Sequence, residues 1–219
     1  MTELWSFWLE AIRAVLQLLS SDVGLGMGSS IIVTTLLLRT ALLPISWTCA
    51  YRNRVRQKKL ARLKPELERL KATYAKVPQV HMERVMALYR AHGLAAVDGG
   101  GLLGGLAQMP VLIGMYQVLR QIGEGVRFLW VKNLARPDVG FALLAGFATM
   151  LVMLLAPELP EHLRLWIVVV PGILTLVAAL KVGSALALYW VVSNCFAAIQ
   201  TLALNLVLER RIRAGVLAI

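Results

Sequence analysis

From residue 139 to 208 the chain is apolar in three long stretches, 139–156, 165–180 and 184–208, separated only by a Pro-bounded turn at 157–164 and a tight turn opening at Lys181. At 1.5 Å per residue, roughly 20 apolar residues span the ~30 Å hydrocarbon core of a bilayer, so runs of this kind predict membrane-spanning helices. Composition agrees: 58% of residues are hydrophobic and 16% charged, with a mean hydropathy of +0.70. Soluble domains carry about a quarter charged residues. The prediction is an all-α polytopic membrane protein, and disorder or a collagen-like fibre is excluded. With 219 residues, no room remains for a large soluble catalytic domain.

Two further spans precede these three. Asp22 to Gly28 reads as a break, and the run from Val23 to Trp47 is apolar apart from Arg39 and its threonines. Residues 102–119 form another span despite Gln108 and Pro110, entered through a glycine-rich return at 93–105. The expected core is therefore residues 21–213, with five spans near 23–47, 102–119, 139–156, 165–180 and 184–208. A short basic tail follows at 209–219. Residues 1–20 lack the pattern of a cleaved secretory signal and are expected to be retained. Trp5, Trp8, Ile12, Val15 and Leu19 share one helical face, which suits an amphipathic helix lying in the membrane interface; the alternative is the first turns of a bundle helix. The segment 121–138, with its apolar knot Phe128, Leu129 and Trp130, reads as an ordered loop packing at the interface.

Residues 51–92 reverse the character of the chain. Twelve lysines and arginines, among them Arg52, Arg54, Arg56, Lys58 and Lys59, face only Glu66, Glu68 and Glu83. Leu60, Leu63, Leu67, Leu70 and Tyr74 repeat at three- and four-residue spacing, as do Met82, Val85 and Tyr89 after a break at 76–78. Two helices zipped along these seams are expected, the first kinked at Pro65. The positive-inside rule places this hairpin and the tail in the cytosol, and with five spans the N-terminus lies outside. The hairpin's charge suits anionic lipid or a ribosome surface, with a merely solvated charged face as the alternative; no specific nucleic-acid site is indicated.

Arg39 carries the most chemical information. An arginine near a span centre costs roughly 2.5–3.5 kcal/mol on insertion scales and is usually retained for function. It lies about 12 Å inside the boundary at Trp47, which strains snorkelling without forbidding it. Gly28, Ile32, Thr35, Arg39 and Ser46 share a stripe that should face a bundle interior. No span contains Asp or Glu, so water or a mobile partner must solvate the charge. Gln108, Ser193, Asn194, Gln200, Thr201 and Asn205 are uncharged polar groups within spans. Singly they read as interhelical hydrogen bonds; together with Arg39 they predict a hydrated cavity.

Enzyme signatures are missing: His81, His92 and His162 lack ligand spacing, and there is no GxSxG, Walker loop or carboxylate pair. No metal site and no cofactor are expected. Cys49 and Cys195 form no CxxC pair and read as packing residues.

The order of motifs resembles the YidC/Oxa/Alb family of membrane protein insertases over residues 20–213. The carriers are LLLRTALLPIS at 36–46, LKPELERLKATYAK at 63–76, ALYRAHGL at 87–94, GLAQMPVLIGMYQVLR at 105–120, FLWVKNLARPD at 128–138 and LALYWVVSNCFAAIQ at 186–200. The resemblance implies a five-helix bundle in the bacterial inner membrane, with a groove closed to the exterior and open to cytosol and lipid. Arg39, Gln108 and Trp190 match its groove positions. It further implies nascent membrane proteins as partners, with ribosome and secretory translocon as additional ones. The chain departs from the family after Gly93, where Leu-Ala-Ala-Val-Asp stands in place of Gly-Val-Asn-Pro. The brief tail predicts no strong ribosome tether, and no large exterior domain is expected.

The function expected from these readings is a non-enzymatic insertase and chaperone in which Arg39 attracts a short acidic tail while the apolar segment moves into lipid. A small-solute transporter or channel using Arg39 as an anion site is the alternative, and inverted repeats that would support it are not found. A folding scaffold that does not insert is a third reading.

Overall fold

The computed structural model describes residues 2–95, 99–122, 125–156 and 161–215. Every regular element among them is a helix: α1 Thr2–Gln17 with a π-turn at Leu18–Asp22, α2 Met27–Ala41, α3 Leu43–Thr73, α4 Pro78–Ala91, α5 Gly99–Ile122, α6 Val139–Leu154, α7 Glu161–Ala179 and α8 Ser184–Arg213. Among the described residues, His162–Ala179 and α8 are each long and apolar enough to cross a membrane. Helices α2 and α3 qualify together as one broken span, and α6 is a shorter apolar helix. The break at Leu42 follows from Pro44, which has no N–H to give the Thr40 carbonyl and whose ring crowds that carbonyl.

The chain divides into two compact units, Met1–Pro44 with Leu106–Ala203, and Ile45–Gly105 with Leu204–Ile219. In the first, the core is built from Ile12 and Leu16 of α1, Ile31 of α2, Val111, Met115 and Val118 of α5, Phe141 and Ala145 of α6, and Tyr189 of α8. Helix α1 has three faces. Trp5, Trp8, Ile12 and Leu16 turn toward α5, where Trp5 Nε1 donates to Gln117 Oε1 (3.3 Å) and Trp8 Nε1 to the Pro110 carbonyl (3.2 Å). Gly114 admits the indole, since a Cβ there would stand 2.7 Å from Trp8 Nε1. Leu4, Phe7, Val15 and Leu18 form an exposed apolar face, and Glu3, Glu10 and Gln17 a polar one. Leu16, not Val15, thus completes the packed face: 5, 8, 12 and 16 follow the 3.6 period more closely than 5, 8, 12 and 15.

The loop before α6 is ordered by its own backbone. Phe128 and Val131 exchange N–H···O bonds of 3.0 and 2.9 Å, and the Leu134 N–H donates to the Val126 carbonyl. Asp138 caps α6, accepting from the Phe141 N–H (2.9 Å) and from Trp130 Nε1 (3.1 Å), while Trp130 stacks on Phe141 at 4.9 Å. Replacing an N-cap aspartate by alanine costs ~1 kcal/mol, and here the indole also loses its acceptor. Asp138→Ala is therefore expected to lower the thermal midpoint followed by intrinsic fluorescence in detergent, with Asp138→Asn losing less. Helices α6 and α7 approach closely where Gly146 faces Gly172, a Cβ on Gly146 lying 3.1 Å from the Gly172 carbonyl.

In the second unit α3 and α4 face one another across a cleft lined by Leu67, Lys71, His81, Val85 and Tyr89. Leu63 is buried, and Leu60, Leu67, Leu70 and Tyr74 are half-buried. Helix α3 runs on through Pro65. Two sequence expectations change. Met82 is 58% exposed, and His81 takes its place in the cleft beside Val85 and Tyr89. The glycine-rich return is largely helical, because α5 begins at Gly99: a helix satisfies backbone groups within its own segment, which an apolar environment rewards more than it penalises glycine. Gly93, at φ +63°, ends α4, with the Leu94 N–H donating to the Tyr89 carbonyl. Residues 96–98 of the return and 216–219 of the tail lie outside the described residues, while 209–213 continue α8 as helix.

Candidate functional site

Arg39 sits in the last turn of α2, just before the break that Pro44 enforces. Its Nε donates to Ser193 Oγ at 2.8 Å, and its Nη2 donates to the same oxygen. Ser193 is 4% exposed, and the phenol of Tyr189, one turn earlier on α8, lies within electrostatic reach of both Ser193 and Arg39. A hydroxyl has two lone pairs and one proton. Ser193 therefore accepts twice from the guanidinium and keeps its own proton free to donate. Among the described residues no carboxylate pairs with Arg39, and the one ion pair joins Arg213 to Glu209. The positive charge is fixed in place by neutral groups.

The other expected groove residues divide. Thr35, one turn before Arg39, is fully buried, and its hydroxyl donates to the Ile31 carbonyl at 2.7 Å. Gln108 of α5 holds its Nε2 buried with no hydrogen-bond partner, as does the Thr34 hydroxyl. Trp190 is half-buried against the core, and Gln200 and Thr201 are half-buried further along α8. Asn194 faces away from Arg39: its Nδ2 donates to Thr149 Oγ1 of α6 (2.9 Å), which reaches Thr175 Oγ1 of α7 (3.3 Å). Tyr189 went unread in the sequence, although its four-residue spacing from Ser193 on one helix was the available signal.

On the hairpin, Arg52 is exposed while Arg54, Arg56, Lys58 and Lys59 are half-buried. Arg54 Nη1 donates to Asn205 Oδ1 at 2.7 Å, and burial pulls its guanidinium below the ordinary arginine pKa. Arg211 donates to Tyr51 Oη (3.2 Å) and lies over its ring, 5.4 Å from the centroid. These cations tie α3 to the end of α8 within their unit rather than standing free.

The family model described as "60Kd inner membrane protein" matches residues 18–211. A protein of Listeria monocytogenes named "Membrane protein insertase YidC 2" is 32% identical over 209 residues, covering 90% of this chain and 75% of its own. The "Membrane protein insertase YidC" of Fusobacterium nucleatum is 34% identical over 178 residues, covering 79% of this chain and 83% of that protein. Among solved structures, an active YidC insertase with its first transmembrane domain resolved has the same fold, with a TM-score of 0.60 at 22% identity. That match covers 90% of this chain but 45% of the solved one. With the family model matching nearly the whole chain, and relatives above 30% identity covered over more than two thirds of their length, this inner-membrane protein belongs to the YidC-like insertase family.

Proposed function

We propose that the chain inserts nascent membrane proteins by receiving a short polar tail at Arg39 and releasing the adjoining apolar segment into lipid. The observation that carries this reading is the uncompensated guanidinium held by Ser193. A cation whose neighbours are neutral still attracts an anion, whereas an ion-paired one would be spent. The orphaned Gln108 Nε2 and Thr34 hydroxyl support water inside the first unit, because buried polar atoms without protein partners usually hold solvent. Hydration of the bundle interior lowers the cost of bringing polar backbone and side chains below the headgroups.

In this reading the five spans of residues 21–213 form the insertase core, with α1 as an interfacial helix. The basic hairpin and the end of α8 lie in the cytosol, and the N-terminus lies outside. The hairpin meets anionic lipid, and a ribosome or secretory translocon delivers substrate.

The test is insertion of a single-span protein with a short acidic tail into proteoliposomes containing the full chain. Protease protection of the tail well above that in empty liposomes supports the reading. Insertion at the empty-liposome level by folded protein overturns it, and anion flux through the same vesicles would then favour a transporter.

A further inference from the structure

A second concentration of unpaired positive charge lies elsewhere in the first unit, at the end of the bundle where α5 stops, α6 starts, and α7 turns into α8. A cavity of about 300 Å³ opens there, lined by Tyr116, Leu119 and Arg120 of α5 and by Lys181, Val182 and Leu186 around the α7–α8 turn. Its wall is backbone as well as side chain. Gly183 packs so closely on the loop before α6 that a Cβ would stand 2.8 Å from the Ala135 carbonyl. The Ser184 and Ala185 N–H groups donate to the Arg136 and Leu134 carbonyls at 2.9 and 3.0 Å. The cavity is therefore held by fixed backbone rather than by two mobile side chains.

Arg120 and Lys181 both border it, neither forms an ion pair among the described residues, and no described lining residue is acidic. Two like charges sharing a cavity without a counter-ion raise the local potential and favour an anion there.

The surroundings specify what kind of anion. Leu106, Met109, Ile113 and Tyr116 are 55, 50, 44 and 39% exposed and lie on one side of α5, in a row that runs toward Arg120. At 1.5 Å per residue the row from Leu106 to Arg120 is about 21 Å long, comparable to an extended acyl chain. The cations stand at the ends of apolar helices, where headgroup phosphates lie, and Tyr116 occupies the level at which tyrosine is enriched in membrane proteins.

We propose that this cavity binds the phosphate of an anionic phospholipid, with Arg120 and Lys181 holding the headgroup and an acyl chain lying along the α5 row. The inference rests on these helices being embedded in a bilayer and not on insertase activity, so it stands or falls separately from the role of Arg39. Each cation beside a lipid phosphate is worth roughly five-fold in occupancy, and both together on the order of twenty-fold.

The test is native mass spectrometry of the full chain released from micelles containing equal phosphatidylglycerol and phosphatidylcholine of the same chain length. Wild type should retain phosphatidylglycerol preferentially. Arg120→Gln with Lys181→Gln should lose about ten- to twenty-fold of that preference, while Arg127→Gln with Lys132→Gln, an equal charge change at exposed residues of the loop before α6 that do not line the cavity, should keep it. Unchanged thermal midpoints in lipid-free detergent establish that both variants remain folded. An unaltered preference in the first variant, or an equal loss in the second, overturns the proposal. A glycerol 3-phosphate arm separates lipid from free phosphate: weak competition supports the lipid, and competition at equal concentration overturns the part assigned to the acyl chain.

Discussion

Arg39→Ala is expected to lower insertion of an acidic-tailed single-span substrate by ten- to a hundred-fold in proteoliposomes while leaving the protein folded. The magnitude follows from Coulomb's law: a carboxylate ~6 Å from an unpaired guanidinium gains about 3 kcal/mol at an effective dielectric of ~20, on the order of a hundred-fold in occupancy, and hydration reduces it. Folding should survive because no described carboxylate loses a counter-ion, and the Ser193 hydroxyl is small and rotatable enough to turn to another partner. A substrate with a neutral tail should lose less than about three-fold, since it never gained the Coulomb term. Arg39→Lys should fall between, because an ammonium keeps the charge but not the two-donor grip on Ser193 Oγ. Protease protection across the four substrate and variant combinations checks each ratio. Equal losses for acidic and neutral tails would assign Arg39 a structural role.

The second large effect is on stability. Gly28 opens α2 directly beneath the ring of Phe128, and a Cβ at position 28 would lie within the van der Waals envelope of that ring. Phe128 has little freedom to withdraw: its ring lies 6.4 Å from that of Phe141, and its backbone is fixed by the two bonds to Val131. Overpacking a closed contact costs about 1–3 kcal/mol, and a branched side chain against a held ring belongs at the upper end. Gly28→Val should therefore lower the thermal midpoint more than Asp138→Ala does. The cause is checked by a double-mutant cycle. If the ring is the obstacle, Gly28→Val should cost much less in a Phe128→Ala background, whereas an equal cost in both would place the strain elsewhere.

The helical class was legible because its signal is cumulative: long apolar runs, one basic segment and a compositional excess all require the same solvent. The seam of α3 was legible for a similar reason, through Leu60, Leu63 and Leu67 at helical spacing. Helix ends set by tertiary context were less so. The glycines from 99 onward carry a strong local signal for a flexible entry, yet they open α5, and nothing local announces that an apolar environment will override them. Pro65 resembles Pro44 in type, but only Pro44 coincides with a break between helices. At the site, Arg39 identified itself by its cost, whereas its partner did not. Ser193 and Asn194 are adjacent and about equally polar, and which of them faces α2 depends on the rotation of α8 about its axis. That rotation places Ser193 on Arg39 and Asn194 on Thr149. The same rotation brings Tyr189 within reach of Ser193 and Arg39, and Trp190, read as a groove residue from the resemblance, is half-buried beside the core.

Whether the charge at position 39 selects the substrate tail is decided by a charge exchange in proteoliposomes held at zero membrane potential. Insertion of substrates with tails carrying Asp or Lys at the same positions is compared for wild type and Arg39→Glu. Wild type is expected to insert the Asp tail over the Lys tail, and Arg39→Glu to reverse this preference while remaining folded. A preference that persists in the charge-reversed protein would contradict it, because the sign of the charge at position 39 would then not be what the substrate tail senses.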